Sequence, residues 1–111
     1  MLAAPPASHG AFTEDEAGVL GADVKLYAEA YVCDEEPLAE QLRSTVLLIV
    51  AGSGKPSADV IEARQRFLDG LRDRARSGTR PTASGCTKSL ADLRVRLRSL
   101  ENIRLEPPAA R

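Results

Sequence analysis

The sequence predicts an all-α protein, an up-down four-helix bundle closed by one disulfide, and three observations carry that prediction. Apolar residues recur at steps of three and four in separate segments, and breaks rich in glycine or proline divide those segments. The one strand-like run, Val46 to Ala51, has no second run to pair with. With 111 residues, 43% of them hydrophobic and 28% charged, the chain has room for one core and enough apolar side chains to build it.

Residues 1–12 (MLAAPPASHGAF) carry two prolines, small side chains and no periodicity, and read as a flexible N-terminal arm. The arm has no run of seven apolar residues and so no signal-peptide core. Its small, proline-rich residues resemble the first residues of a mature chain after signal-peptidase cleavage, and Met1 then reads as a start codon placed on a mature sequence. Thr13-Glu14-Asp15-Glu16 has the capping-box spacing, with three acids on the positive end of the helix dipole. From there Ala17, Leu20, Val24, Tyr27 and Tyr31 form an apolar stripe that runs to about Cys33.

Asp34-Glu35-Glu36-Pro37 suits the start of a second helix, about Pro37 to Ala51: proline is comfortable at a first helical position and acids favour an N-terminus. Val46 to Ala51 is apolar all round, which predicts the most buried element of the fold. Gly52 to Pro56 is a turn by composition, and Ser57 is the expected cap of a third helix with Val60, Ile61, Phe67, Leu68 and Leu71 on its core side. Gly78 ends it. The last helix places Cys86, Leu90, Leu93, Leu97, Leu100 and Ile103 on one stripe before Pro107-Pro108 stops it. The helical domain therefore spans 13–105, with a flexible tail at 106–111.

In an up-down bundle the end of the first helix and the start of the fourth lie at the same pole. Cys33 closes the first and Cys86 opens the fourth, so the pair is expected to form a disulfide, a choice that favours an oxidising compartment, periplasmic or secreted. Two buried free thiols acting as small hydrophobes are the other reading, and with them a cytoplasmic chain.

Candidate chemistry is thin, and no catalytic set is expected. Gly52-Ser53-Gly54-Lys55-Pro56 resembles the end of a phosphate-binding loop, but Pro56 stands where the magnesium-binding hydroxyl belongs and Ile49 where the first glycine belongs. His9, Cys33 and Cys86 fall short of a closed metal site, so no metal or cofactor is expected. A nucleophilic cysteine needs a base, and the single histidine sits on the arm. The Asp34 to Glu36 carboxylates read as helix-capping groups rather than an acid–base pair.

Charge is segregated along the chain. Residues 1–62 carry eleven acids against three bases, and residues 63–111 twelve bases against five acids. Arg64, Arg66, Arg72, Arg74 and Arg76 belong to the third helix and Arg94, Arg96, Arg98 and Arg104 to the fourth, on faces away from the leucines. Alternate arginines diverge by about 200° on a helix, so these runs spread around the flanks and build no single groove-reading edge. With a sequence pI near 5.8, no nucleic-acid partner is expected. Local pairs are expected between Asp69 and Arg72 and between Asp92 and Arg96, and across helices Asp23 and Glu29 are placed to meet Arg94 or Arg98. Arginines left over, Arg72 and Arg76 first, would meet an acidic partner protein.

The order Leu-Gly-x5-Tyr-x5-Cys over Leu20 to Cys33, the segment Arg64 to Gly70 (RQRFLDG), Cys86-Thr87 and Ala91 together resemble a group of small exported two-cysteine helical proteins from alphaproteobacteria. No activity is attached to that group. The resemblance implies an exported chain and adds no mechanism. The expectation is a small exported helical protein that binds another protein, is not an enzyme and spans no membrane. A cytoplasmic adaptor or secretion chaperone with reduced cysteines is the alternative.

Overall fold

The computed structural model describes residues 12–105, with the side chains of 104 and 105 excepted; most of the expected arm, with His9, and the tail at 106–111 lie outside the described residues. Among the described residues four helices succeed one another: α1 (Glu14–Val32), α2 (Glu36–Gly52), α3 (Ser57–Ser77) and α4 (Ala83–Leu105). The α1 capping box forms as its spacing implies. The Glu16 N–H donates to Thr13 Oγ1 at 3.1 Å and the Thr13 N–H donates to Glu16 Oε1 at 3.0 Å.

Helix ends elsewhere depart in detail from the sequence reading. Asp34 adopts a left-handed φ of 64° just past the α1 C-cap, and Glu35, the residue before α2, makes no side-chain capping bond. The acids of this turn thus close α1 as much as they open α2. Ser57 is the first residue of α3, and Pro56 takes the cap position with its extended backbone. Gly78, at φ 70°, ends α3 in the conformation that glycine adopts at no steric cost.

Cross-helix pairs fix the chain directions. Cys33 meets Cys86 and Asp23 meets Arg96, so α1 and α4 are antiparallel. The α1 tyrosines Tyr27 and Tyr31 reach Glu40 near the start of α2, making α1 and α2 antiparallel as well. Glu29 meets Arg74, and Val24 lies against Gly70, so α3 runs parallel to α1. The result is the up-down four-helix bundle with a flattened cross-section. Helices α1 and α2 touch each other and both flanking helices, whereas α3 and α4 do not approach each other.

The core is small in side-chain size and closely packed. Tyr27, Phe67, Leu42 and Leu93 are its largest fully buried members, with Ala30, Ala39 and Ala63 where backbones come close. The Tyr27 ring meets Phe67 edge to face, centroids 5.1 Å apart. Leu93, Leu97 and Leu100 are buried and Leu90 packs against them, as the α4 stripe requires.

Four expectations need correction. Phe12, assigned to the arm, buries its ring in the core beneath the Lys55 ammonium and the Arg66 guanidinium, 5.3 and 5.5 Å from its centroid. The second half of α2 is not the most buried element: Val46 is buried, but Leu48 is 57% exposed and Ile49 and Val50 are only partly covered. A helix that is apolar all round still offers its neighbours only one side, and the rest of α2 stays open. Ile61 is 65% exposed, because it lies about 200° around the helix from the buried Ala63, and Leu68, about 100° on from the buried Phe67, is only partly covered and stands with Ile61 on the outer side instead of the core side. Ile103 is 52% exposed, because the register carries it past the apolar stripe of α1 to the level of its acidic first turn.

Candidate functional site

At one pole Cys33 and Cys86 form the expected disulfide, Cα atoms 5.7 Å apart and 53 residues apart in sequence. Its position ties the start of α4 to the end of α1, and α4 has no contact with α3 to hold it from the other flank.

Ten residues before Cys33, the Asp23 carboxylate, 2% exposed, accepts from Nε at 2.8 Å and Nη2 at 3.0 Å of Arg96, which stands ten residues after Cys86. This two-bond fork replaces both the Asp92–Arg96 pair and the Asp23 contact with Arg94 or Arg98 that the sequence implied. Asp92 instead accepts from Lys88 at 2.9 Å, and holds that ammonium pKa above its ordinary value. Glu29 finds its partner on α3: Arg74 Nε donates to it at 2.6 Å, while Arg74 Nη1 donates to the Thr79 carbonyl at 2.6 Å. The acids of α1 therefore do neutralise bases from the second half of the chain, but inward-facing ones. Arg94 and Arg98 are left without an ion-pair partner among the described residues.

On the outer side of α3, Ile61, Leu68, Arg72 and Arg76 fall on one stripe, opposite the buried Ala63 and Phe67. Arg72 and Arg76 are exposed and each lies 3.5 Å from an acid of its own helix, Asp69 and Asp73. Such surface pairs contribute about 0 to 1 kcal/mol, so both guanidinium groups are available to a stronger acceptor. Because α3 and α4 sit on opposite flanks, the arginines of the two helices form separate surfaces.

Between α1 and α2, the Tyr27 and Tyr31 hydroxyls donate to the same oxygen, Glu40 Oε2, at 3.1 and 2.8 Å, and Arg43 pairs with the other oxygen. The Tyr31 phenol is pushed well above its ordinary pKa of 10.0, first by that hydrogen bond and then by burial. Tyr27 is raised too, mainly by burial and next by the Glu40 charge.

At the pole away from the disulfide, the open part of α2 becomes the wall of a cleft of about 320 Å³. Val19 and Leu20 of α1, Val46, Ile49 and Val50 of α2, and Leu100 of α4 line it, and Phe12 closes one side. The charged groups at its edge are paired: Asp23 with Arg96, and Glu16 with Lys55 at 3.1 Å. The Glu16 carboxyl lies below its usual pKa, held there by the Thr13 N–H and then by Lys55. Asp15 stands exposed at the mouth. The Gly52 to Pro56 segment that borders the cleft is a turn, with Gly54 at φ 89° and the Ser53 hydroxyl donating to the Val50 carbonyl at 2.7 Å.

Among the described residues no three His, Cys, Asp or Glu side chains converge as a ligand set, and no helix is long and apolar enough to cross a membrane. Comparison with known protein families, curated proteins and solved structures finds no match.

Proposed function

We propose that this chain is a small exported helical protein that acts by binding another protein and performs no catalysis, with the outer stripe of α3 as its contact surface. The observation that carries this reading is the stripe itself. Arg72 and Arg76 stand four residues apart on one exposed face with Ile61 and Leu68 beside them, an apolar patch flanked by planar cations. Arginine binds carboxylates in pairs and stays charged, so the partner it fits is acidic. The Cys33–Cys86 disulfide supports a periplasmic or secreted setting, since such bonds persist where the surroundings are oxidising.

Affinity capture from periplasmic and secreted extract with the wild-type chain and with the Arg72→Ala/Arg76→Ala variant tests this. The variant is expected to lose the captured partner while keeping its thermal midpoint, and the wild-type complex is expected to weaken as salt rises. Equal capture by the variant overturns the α3 surface. Capture only from cytoplasmic extract, by a chain with reduced cysteines, overturns the exported reading in favour of an adaptor or secretion chaperone.

A further inference from the structure

We propose that the cleft at the pole opposite the disulfide is a binding site for a neutral, largely apolar small molecule. Three independent features converge there. First, Val19, Leu20, Val46, Ile49, Val50 and Leu100 form its walls, and its volume of about 320 Å³ lies at the lower end of the range for small-molecule sites. The cleft is bounded by Phe12 on one side and by Ser53 and Lys55 on another, and it opens to solvent.

Second, the fold leaves this surface open at a cost. The last turns of α2 are the most apolar run of the chain, yet Ile49 and Val50 stay partly exposed, and an apolar ligand that covers them removes that surface from water.

Third, the charges specify the ligand. Arg96 is engaged by Asp23 in a fork and Lys55 by Glu16, so each cation at the cleft already has its counter-ion. Among the described residues the carboxylate left over there is the exposed Asp15. An anionic ligand would have to break an internal pair and face that carboxylate, whereas a neutral one disturbs nothing.

Two dyes that share one aromatic body test this directly: neutral N-phenyl-1-naphthylamine, and 8-anilinonaphthalene-1-sulfonate, which adds a sulfonate. The neutral dye is expected to bind the oxidised full-length chain saturably at one site with a blue-shifted emission, and the sulfonate to bind about tenfold more weakly or less. Val50→Trp, which fills the cleft, and Val19→Lys, which charges its exposed rim, are each expected to weaken the neutral dye by about tenfold or more with helical content retained. Ile61→Trp, on the far side of α3, and Arg72→Ala/Arg76→Ala are expected to leave it unchanged, which keeps this site separable from the protein-binding surface. Unsaturable binding, equal or tighter binding of the sulfonate, or unchanged affinity in both cleft variants overturns the proposal. Failure of the wild type to bind the neutral dye overturns it as well, and leaves the recess to the apolar side chains of a partner.

Discussion

Asp23 and Arg96 meet in a two-bond fork ten residues along from each end of the Cys33–Cys86 disulfide, so α4 is fastened to α1 at two levels, one covalent and one ionic. The carboxylate is almost wholly buried and the guanidinium is its only ion-pair partner among the described residues. Arg96→Met leaves that carboxylate buried without a counter-ion and is expected to cost about 3 kcal/mol in urea unfolding. The double replacement Asp23→Leu/Arg96→Met is expected to recover most of the loss, because no uncompensated charge remains. Additive losses in the double variant would show that the two side chains are not coupled.

The close approach of α1 and α3 depends on Gly70. A Cβ there would collide with Val24 Cγ1, a methyl of a short β-branched side chain rather than the end of a long flexible one. Gly70→Ala is therefore expected to destabilise by about 1 to 3 kcal/mol despite alanine's better helix propensity. Val24→Ala in the same chain should relieve the overlap. Thermal unfolding of the single and double variants reads both effects, and a more stable Gly70→Ala would mean the helices are farther apart than described.

The tyrosine pair makes stability pH-dependent on the alkaline side. Both phenols titrate above 10.0 in the folded chain, Tyr31 through its bond to Glu40 and Tyr27 through burial. The unfolded chain ionises near 10.0, so the stabilisation from these protons is complete below that pH and is lost as pH rises toward the folded values. Tyrosinate absorbance should therefore stay low in the native chain just above pH 10 and appear together with loss of helical signal. In Glu40→Gln, which removes the charge, Tyr31 should ionise at lower pH. Ordinary titration of both tyrosines in the native chain would contradict the shared hydrogen bond.

Much of this architecture was legible because local chemistry decides it. The Thr13 to Glu16 spacing can form only one kind of cap, the α4 leucines repeat at helical steps, and Gly78 supplies a left-handed helix end. The Cys33–Cys86 pairing came from topology. Once that pair is accepted, the antiparallel register it imposes sets position 23 opposite position 96. The Asp23–Arg96 fork was thus available in the sequence, and pairing by neighbourhood on one helix obscured it. An acid on the buried stripe between Leu20 and Tyr27 was the other signal. Phe12 was illegible because the prolines and small residues before it mask a single aromatic anchor. The order in which helices surround α1 was illegible too: α3 closes on α1 where Gly70 leaves room for Val24, a packing outcome that one glycine in a helix does not announce.

The proposed oxidising compartment requires the Cys33–Cys86 bridge to be present in the cell as well as in the fold. Intact mass after alkylation with iodoacetamide, on the chain taken from its native cells before and after reduction, reads this without an intermediate step. Neither Cys33 nor Cys86 is expected to be modified until reductant is added, and reduction is expected to lower stability by roughly 4 kcal/mol for a loop of this length. Two cysteines that alkylate at once in the native, folded chain would contradict both the bridge and the compartment.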